Sequence, residues 1–185
     1  MQKFRGFIAI DIKSFPKLIE FENEIKKTGA NVKLVEPKNI HLTLKFLGDT
    51  DEILIENIEK IMKDSVEDIK PFEICLKGAG VFPNEKYIKV VWIGIENGEK
   101  IGRIAKNIDE NISNLGFLRD RREFSAHLTI ARVKNVNNKQ ALIDIINKYR
   151  DVEFLKINVD TIKLKKSTLT PKGPIYSTLK EVKIQ

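Results

Sequence analysis

The chain has 185 residues, of which 42% are hydrophobic and 32% charged. This length can form one domain or two small lobes, and the hydrophobic fraction is enough to fill a core. No segment has the apolar length of a transmembrane helix, the first apolar stretch is too short for a signal peptide, and the single Cys75 excludes an internal disulfide. The formal net charge of +7 favours anionic partners, namely RNA, DNA, nucleotides or acidic membranes. These features predict a cytoplasmic protein without a membrane segment.

The first part of the chain is predicted to alternate strands and helices. An apolar strand at 7–10 precedes a helix that Ser14 can cap, with Pro16 in its first turn and Gly29 at its end. Strands are then predicted at 32–35 and 40–47, the second of them ended by Gly48-Asp49, and a helix at about 51–66.

The second part repeats this alternation. Alternating apolar residues predict a strand at 72–77, and a β-branched run predicts another at 87–95. The clearest helix follows Asn97-Gly98, since its apolar residues recur at helical spacing: Ile101, Ile104, Ala105, Ile108, Ile112 and Leu115. The remaining predicted elements are a strand at 124–132, a helix at 139–149, and strands at 157–164 and 175–184 joined by a turn at 170–174.

A tetrapeptide that occurs twice dominates the sequence. His41-Leu42-Thr43-Leu44 and His127-Leu128-Thr129-Ile130 contain the only 2 histidines of the chain. In a β-strand the residues i and i+2 share a face, so each His shares a face with its Thr, and the aliphatic residues face the core. A lone histidine is more often structural, but the repeated His-Thr presentation favours a functional role for both.

The repeat extends to whole halves of the chain. Each half contains an apolar strand, a helix, a His-x-Thr-x strand and a second helix. Phe7 of the first apolar strand precedes His41 by 34 residues, and Val91 of the second precedes His127 by 36. We therefore predict one domain over residues 1–185, made of two similar lobes with approximate halves 1–70 and 71–185. A pseudo-two-fold relation would bring His41 and His127 to opposite sides of one cleft.

The residue types favour acid–base chemistry on a phosphodiester. No carboxylate lies at metal-ligand spacing from either histidine, and neither a G-x-S-x-G elbow nor a phosphate-binding glycine loop is present. We therefore expect no metal and no cofactor. Two histidines can act as one neutral base and one protonated acid near neutral pH, while Thr43 and Thr129 donate to the phosphate oxygens. From the residues alone, either histidine could be the acid.

The sequence resembles the 2H phosphoesterase superfamily, and within it the RNA 2′,3′-cyclic phosphodiesterases, also called 2′-5′ RNA ligases. The similarity includes both His-x-Thr-x motifs and covers nearly the whole chain in order, at residues 5–11, 35–48, 80–84, 126–132 and 167–176. It implies a bilobal α+β fold with two antiparallel sheets lining a central cleft and helices outside. It also implies that His41 is the general acid and His127 the general base in hydrolysis of RNA 2′,3′-cyclic phosphate ends to 2′-phosphomonoesters.

The resemblance extends the site and its partners. Arg132 follows the second motif and is a candidate phosphate contact, although strict alternation would place it opposite His127, so a bulge would be required. Lys45 shares a face with His41 and Thr43 if its strand is regular, and is a second candidate substrate contact. The expected partner is RNA with cyclic phosphate ends, such as tRNA fragments or oligonucleotides, bound by a monomer. Reverse ligation and a non-catalytic RNA-end or nucleotide-binding module remain as alternatives.

Overall fold

The computed structural model describes residues 2–171 and 173–185. Within these residues the chain forms nine strands and four α-helices. The strands are β1 (Lys3–Asp11), β2 (Asn31–Leu34), β3 (His41–Asp51), β4 (Phe72–Asn84), β5 (Tyr87–Glu96), β6 (His127–Asn135), β7 (Glu153–Val159), β8 (Thr161–Thr170) and β9 (Gly173–Lys183). The helices are α1 (Pro16–Lys27), α2 (Ile55–Asp64), α3 (Glu99–Ile112) and α4 (Lys139–Lys148). None of the helices in the described part of the chain is long and apolar enough to cross a membrane.

All strand pairs are antiparallel, in the order β7-β4-β5-β6-β3-β1-β8-β9, and β2 pairs with the second half of β6. The two motif strands, β3 and β6, meet at a single residue pair, Leu42 and Leu128. This pair divides the sheet into a β3 lobe (β3, β1, β8 and β9) and a β6 lobe (β6, β5, β4, β7 and β2). The predicted antiparallel α+β fold is confirmed, and its two sheets are continuous through this one pair.

Two of the four helices, α1 and α3, cover a lobe other than the one that contains the strand before them. Helices α2 and α3 pack against β9 and β3, whereas α1 and α4 pack against each other, β2 and β4. Phe21 of α1 lies with its ring centroid 4.6 Å from that of Tyr149, which directly follows α4. Each lobe therefore uses elements from both sequence halves, 1–70 and 71–185, and this interleaving is consistent with the lack of a flexible linker between them.

The core lies between the sheet and the helices. Leu42 and Leu128 are fully buried, and so are the apolar residues of α3 that the sequence spacing indicated. Burying one Leu or Ile side chain stabilises the fold by about 1.5–3 kcal/mol. The aliphatic positions of both motifs therefore anchor β3 and β6 from the helix side, which leaves the opposite face for the histidines.

Several predicted boundaries differ from the structure, among them strand β4, which is predicted at 72–77 and extends to Asn84. Helix α1 is preceded by extended Phe15 and has no side-chain cap, so Ser14 does not cap it. Strand β3 continues past Gly48 to Asp51, because Gly48 adopts a φ of +69° that only glycine takes easily and remains paired with Gly6. The strand predicted at 157–164 is two strands separated by Asp160, and β6 begins at His127 rather than at residue 124. The turn predicted at 170–174 joins β8 to β9, and its Lys172 lies outside the described residues.

Candidate active site

The four motif residues surround the Leu42–Leu128 pair. Because β3 and β6 are antiparallel there, His41 and His127 lie on opposite sides of this pair along the strand direction. A rise of about 3.3 Å per residue and a strand spacing of about 5 Å place their Cα atoms roughly 8 Å apart. His41, Thr43, His127 and Thr129 are all partly exposed, while both leucines are fully buried. The structure thus brings together the two predicted His-Thr pairs on one face of the sheet, at the junction of the two lobes, and this face is called the cleft face.

The two imidazoles are held in the same way. Nδ1 of His41 lies 2.6 Å from the carbonyl oxygen of Asn39, and Nδ1 of His127 lies 2.7 Å from that of Ser125. A carbonyl oxygen only accepts, so Nδ1 carries a hydrogen in both rings. Nε2 is therefore the atom that accepts a proton when the ring is neutral and donates one when it is charged.

His41 is packed more tightly than its counterpart. Its ring centroid lies 5.0 Å from that of Phe7 and 5.3 Å from that of Tyr176 in β9. The start of β9 is tied to the same place, because Nδ2 of Asn39 donates to the Pro174 carbonyl at 3.0 Å. His127 meets one aromatic ring edge to face, that of Phe82 at 5.0 Å. Aromatic contacts thus fix the orientation of both histidines.

The surroundings of His41 favour its neutral form. Burial lowers its pKa below the usual value near 6.5, the hydrogen bond to the Asn39 carbonyl opposes this, and the positive charge of Lys165 lowers it further. Asp11 pairs with His41 across β1 and β3, and its carboxylate accepts a 2.5 Å hydrogen bond from Lys165. Burial would raise the pKa of Asp11, but Lys165 holds it below its usual value. An anion bound beside His41 would favour its charged form and so oppose the lowering of the His41 pKa.

Arg132 lies on the cleft face because β6 carries a bulge. Thr129 pairs with Trp92 and Ala131 pairs with Val91, which leaves Ile130 without a partner on β5. Ile130 and Ala131 are both buried, so the alternation shifts by one residue and Arg132 is exposed on the side of His127 and Thr129. Its positive charge adds to the effect of burial in lowering the pKa of His41.

Lys45 does not share the face of His41 and Thr43, and this expectation is wrong. Thr43 pairs with Ala9 and Lys45 pairs with Ile8, so Leu44 forms a bulge that turns Lys45 to the helix side of the sheet. Its side chain is only 1% exposed, with Nζ 2.5 Å from Asp109 of α3 and 3.0 Å from Asp120. A residue enclosed in this way does not reach a substrate in the cleft, and Phe46 occupies the cleft face instead.

The sequence prediction missed several residues that shape the site. Asn39 and Ser125 both stand two residues before a motif histidine and bind it through their backbone carbonyls, so the signal in the sequence is this repeated position and not the polar side chain. The contacts of Phe7, Phe82 and Asp11 left no such signal, because they arise from pairing between strands that are distant in the chain.

Known proteins with similar sequences point to one family. Residues 15–168 match the 2′-5′ RNA ligase superfamily. An RNA 2′,3′-cyclic phosphodiesterase of Methanocaldococcus jannaschii is 48% identical over 179 residues, covering 96% of this chain and 99% of that protein. Its counterpart in Methanothermobacter thermautotrophicus is 40% identical over 179 residues, covering 96% of this chain and 97% of its own length.

Solved structures share the fold. A Thermus thermophilus protein superposes with a TM-score of 0.77 at 26% identity, covering 97% of both chains. The E. coli LigT complexed with 3′-AMP has a TM-score of 0.71 at 20% identity, covering 99% of both chains. With the family match over most of the chain and these full-length relatives, the chain belongs to the 2′-5′ RNA ligase superfamily.

Proposed function

We propose that this protein hydrolyses RNA 2′,3′-cyclic phosphate ends to 2′-phosphomonoesters by general acid–base catalysis. The observation that carries the proposal is the placement of two His-Thr pairs around the single pair that joins the lobes. Relatives of 40% and 48% identity over nearly their full length are named for this activity, which supports the same substrate class here.

The geometry suits an in-line displacement at one phosphorus. His127 takes a proton from water through Nε2, and the water oxygen forms a bond to phosphorus as the bond to the 3′ oxygen breaks. His41 gives its Nε2 proton to that leaving oxygen, so the products are a 2′-phosphate and a 3′-hydroxyl. The two histidines lie on opposite sides of the Leu42–Leu128 pair, as an attacking and a leaving group on opposite sides of one phosphorus require. The assignment of His41 as acid and His127 as base follows the family resemblance.

Hydrogen bonds and charge complete the site. The hydroxyls of Thr43 and Thr129 share the face of the histidines, and in the proposed mechanism each donates to one of the two non-bridging oxygens. Arg132 adds a positive charge on the same face, which stabilises the anionic phosphorane-like transition state. An anionic phosphate also favours the charged form of His41, so binding of the substrate supplies the proton donor that the free site disfavours.

The reaction as proposed needs no metal, because the two imidazoles supply both proton transfers. Among residues 2–171 and 173–185, no cluster of three or more His, Cys, Asp or Glu side chains is arranged to hold a metal ion. With a 5′-hydroxyl in place of water, the same groups would join two RNA ends through a 2′-5′ linkage. This is the ligation reaction that the sequence left open as an alternative.

The test is the fate of an oligoribonucleotide that ends in a 2′,3′-cyclic phosphate. We expect complete conversion to the 2′-phosphate isomer, identified by phosphorus NMR, at a rate that EDTA does not change. The matched control is the double variant His41→Gln/His127→Gln, which should leave the cyclic ester intact. A 3′-phosphate product, or activity lost to EDTA and restored by one divalent ion, would contradict the mechanism. Tight binding of the cyclic end without turnover would favour the non-catalytic RNA-end module.

A further inference from the structure

An aromatic strip runs along the cleft face away from His41. The ring centroid of Phe7 lies 5.0 Å from that of His41 and 6.4 Å from that of Phe46. Phe7 is buried, but Phe46 is 67% exposed. The bulge at Leu44 is what turns Phe46 to this face, because without it Lys45 would occupy the position. A large aromatic ring therefore faces solvent three residues beyond Thr43.

Phe46 forms one wall of a cavity of about 490 Å³ between β3 and the segment 116–121. Leu118, which also lines this cavity, is 88% exposed. Two large apolar side chains exposed around one cavity, next to a candidate active site, indicate a binding surface rather than chance exposure.

The segment that carries Leu118 is held in place by Lys45 of β3 and Asp109 of α3. Nζ of the buried Lys45 donates to the Leu118 carbonyl oxygen at 2.9 Å. Asp109 receives the Asp120 backbone N–H at 3.0 Å and Arg119 Nε at 3.3 Å, in addition to Lys45. The buried ion pair of Lys45 and Asp109 thus fixes the cavity wall in the absence of a ligand. Binding of a ligand therefore costs little conformational entropy in this segment.

Arginines stand beside the apolar wall of this cavity, and its lining also includes the carboxylates of Asp49 and Asp120. Asp120 is paired with Lys45, and Arg119 is paired with Asp109 and Glu110. Arg121, which lines the cavity, and its chain neighbour Arg122 have no carboxylate within 4.0 Å in the described part of the chain. A stacking surface bordered by unpaired cations is the combination with which proteins bind single-stranded nucleic acid. A purely apolar ligand would not use these charges.

We propose that the Phe46–Leu118 cavity binds the base of the penultimate nucleotide of a single-stranded RNA, which is the nucleotide before the one that carries the cyclic phosphate. This inference rests on the proposed function. Phe46 lies about 10 Å beyond Thr43 along the strand, which is the place of a neighbouring nucleoside and not of the one that carries the reacting phosphate. The base stacks on the Phe46 ring beside Leu118, while Arg121 and Arg122 attract the RNA backbone.

The experiment compares two substrates, a nucleoside 2′,3′-cyclic monophosphate and a trinucleotide ending in the same cyclic phosphate. In Phe46→Leu, which keeps an apolar side chain but removes the ring, the ratio of kcat/KM for the trinucleotide to that for the mononucleotide should fall roughly tenfold. Leu118→Ala should lower the same ratio. The control is Ile53→Ala in the 3₁₀ turn Glu52–Leu54, where a 73% exposed apolar side chain is removed and the ratio should not change.

A trinucleotide with an abasic penultimate residue identifies the base directly. Wild type should lose the part of the trinucleotide advantage that Phe46 supplies, and Phe46→Leu should then have no further effect on the ratio. An unchanged ratio in Phe46→Leu, or an equal loss on both substrates, would overturn the proposal. If wild type hydrolyses neither substrate, the proposed function fails, and binding of the trinucleotide 2′-phosphate still tests the cavity: Phe46-dependent affinity supports it, and Phe46-independent affinity refutes it.

Discussion

Replacing either histidine should slow hydrolysis of the cyclic phosphate by roughly a hundred- to ten-thousand-fold, the usual contribution of one positioned acid or base. His41→Ala and His127→Ala should both remain folded, because the two rings line the cleft and the neighbouring leucines hold the strands. The measurement is single-turnover hydrolysis of an oligoribonucleotide with a cyclic end, with thermal unfolding of each variant as the control for folding.

The threonines provide a graded comparison. Thr43→Ala and Thr129→Ala each remove one hydrogen bond to a charged oxygen, worth about 1.5–3 kcal/mol, so their losses should be smaller than those of the histidine variants. The double histidine variant should be little worse than either single variant, because the acid and the base act on the same step. A folded His127→Ala protein with near-normal turnover would refute the two-histidine scheme.

Removing Asp109 should lower the free energy of unfolding by about 3–5 kcal/mol, since Asp109→Ala leaves the ammonium of Lys45 buried with weaker compensation. Lys45→Met should cost less, and the double variant Lys45→Met/Asp109→Ala should be more stable than Asp109→Ala alone. Urea unfolding near pH 7 measures all three. Burial would raise the pKa of Asp109, but Lys45 holds it below its usual 3.8, so the stabilisation is present above that value and lost as pH falls through the lowered pKa.

An exposed ion pair supplies the matched control. Glu96→Ala removes the partner of Lys77 at 2.8 Å, and this exposed pair should be worth less than about 1 kcal/mol. An Asp109→Ala protein that is destabilised no more than Glu96→Ala would show that the Lys45 network does not anchor the segment at 117–120.

The sequence predicted the motif residues well because period-two alternation is local. His41, Thr43, His127 and Thr129 share one face and the leucines share the other, as the pattern required. Strict alternation failed one step further along β3, whereas on β6 the bulge that Arg132 was said to require is present. Each strand carries a bulge three residues after its histidine, at Leu44 and at Ile130, and no glycine or other local signal marks either bulge.

The two bulges have opposite consequences for the two basic candidates. Lys45 stands four residues after its histidine, so the shift moves it off the cleft face, whereas Arg132 stands five residues after its own, so the shift moves it on. The bulges at Leu44 and Ile130 occupy the same position in the two repeats. The internal duplication inferred from the sequence therefore includes the bulge. The pairing with β1 and β5 that shows these bulges is not readable from either strand alone.

Helix placement had a similar limit. Leu18, Phe21 and Ile25 of α1 recur at helical spacing, as the apolar residues of α3 do, and both stripes correctly indicated which face of the helix is buried. They did not show which sheet each helix covers, because a stripe fits any apolar surface of suitable size. Only the fold reveals that α1 packs in the β6 lobe and α3 in the β3 lobe.

The most direct test of the central claim is NMR of the imidazole side chains during titration with a nucleoside 2′-phosphate, since the chain has only 2 histidines. One equivalent of the product should shift the signals of both His41 and His127. In the free protein the pKa of His41 should lie below the usual histidine value near 6.5. The bound phosphate should raise this pKa. A titration in which one ring responds and the other does not would contradict a single phosphate flanked by both histidines.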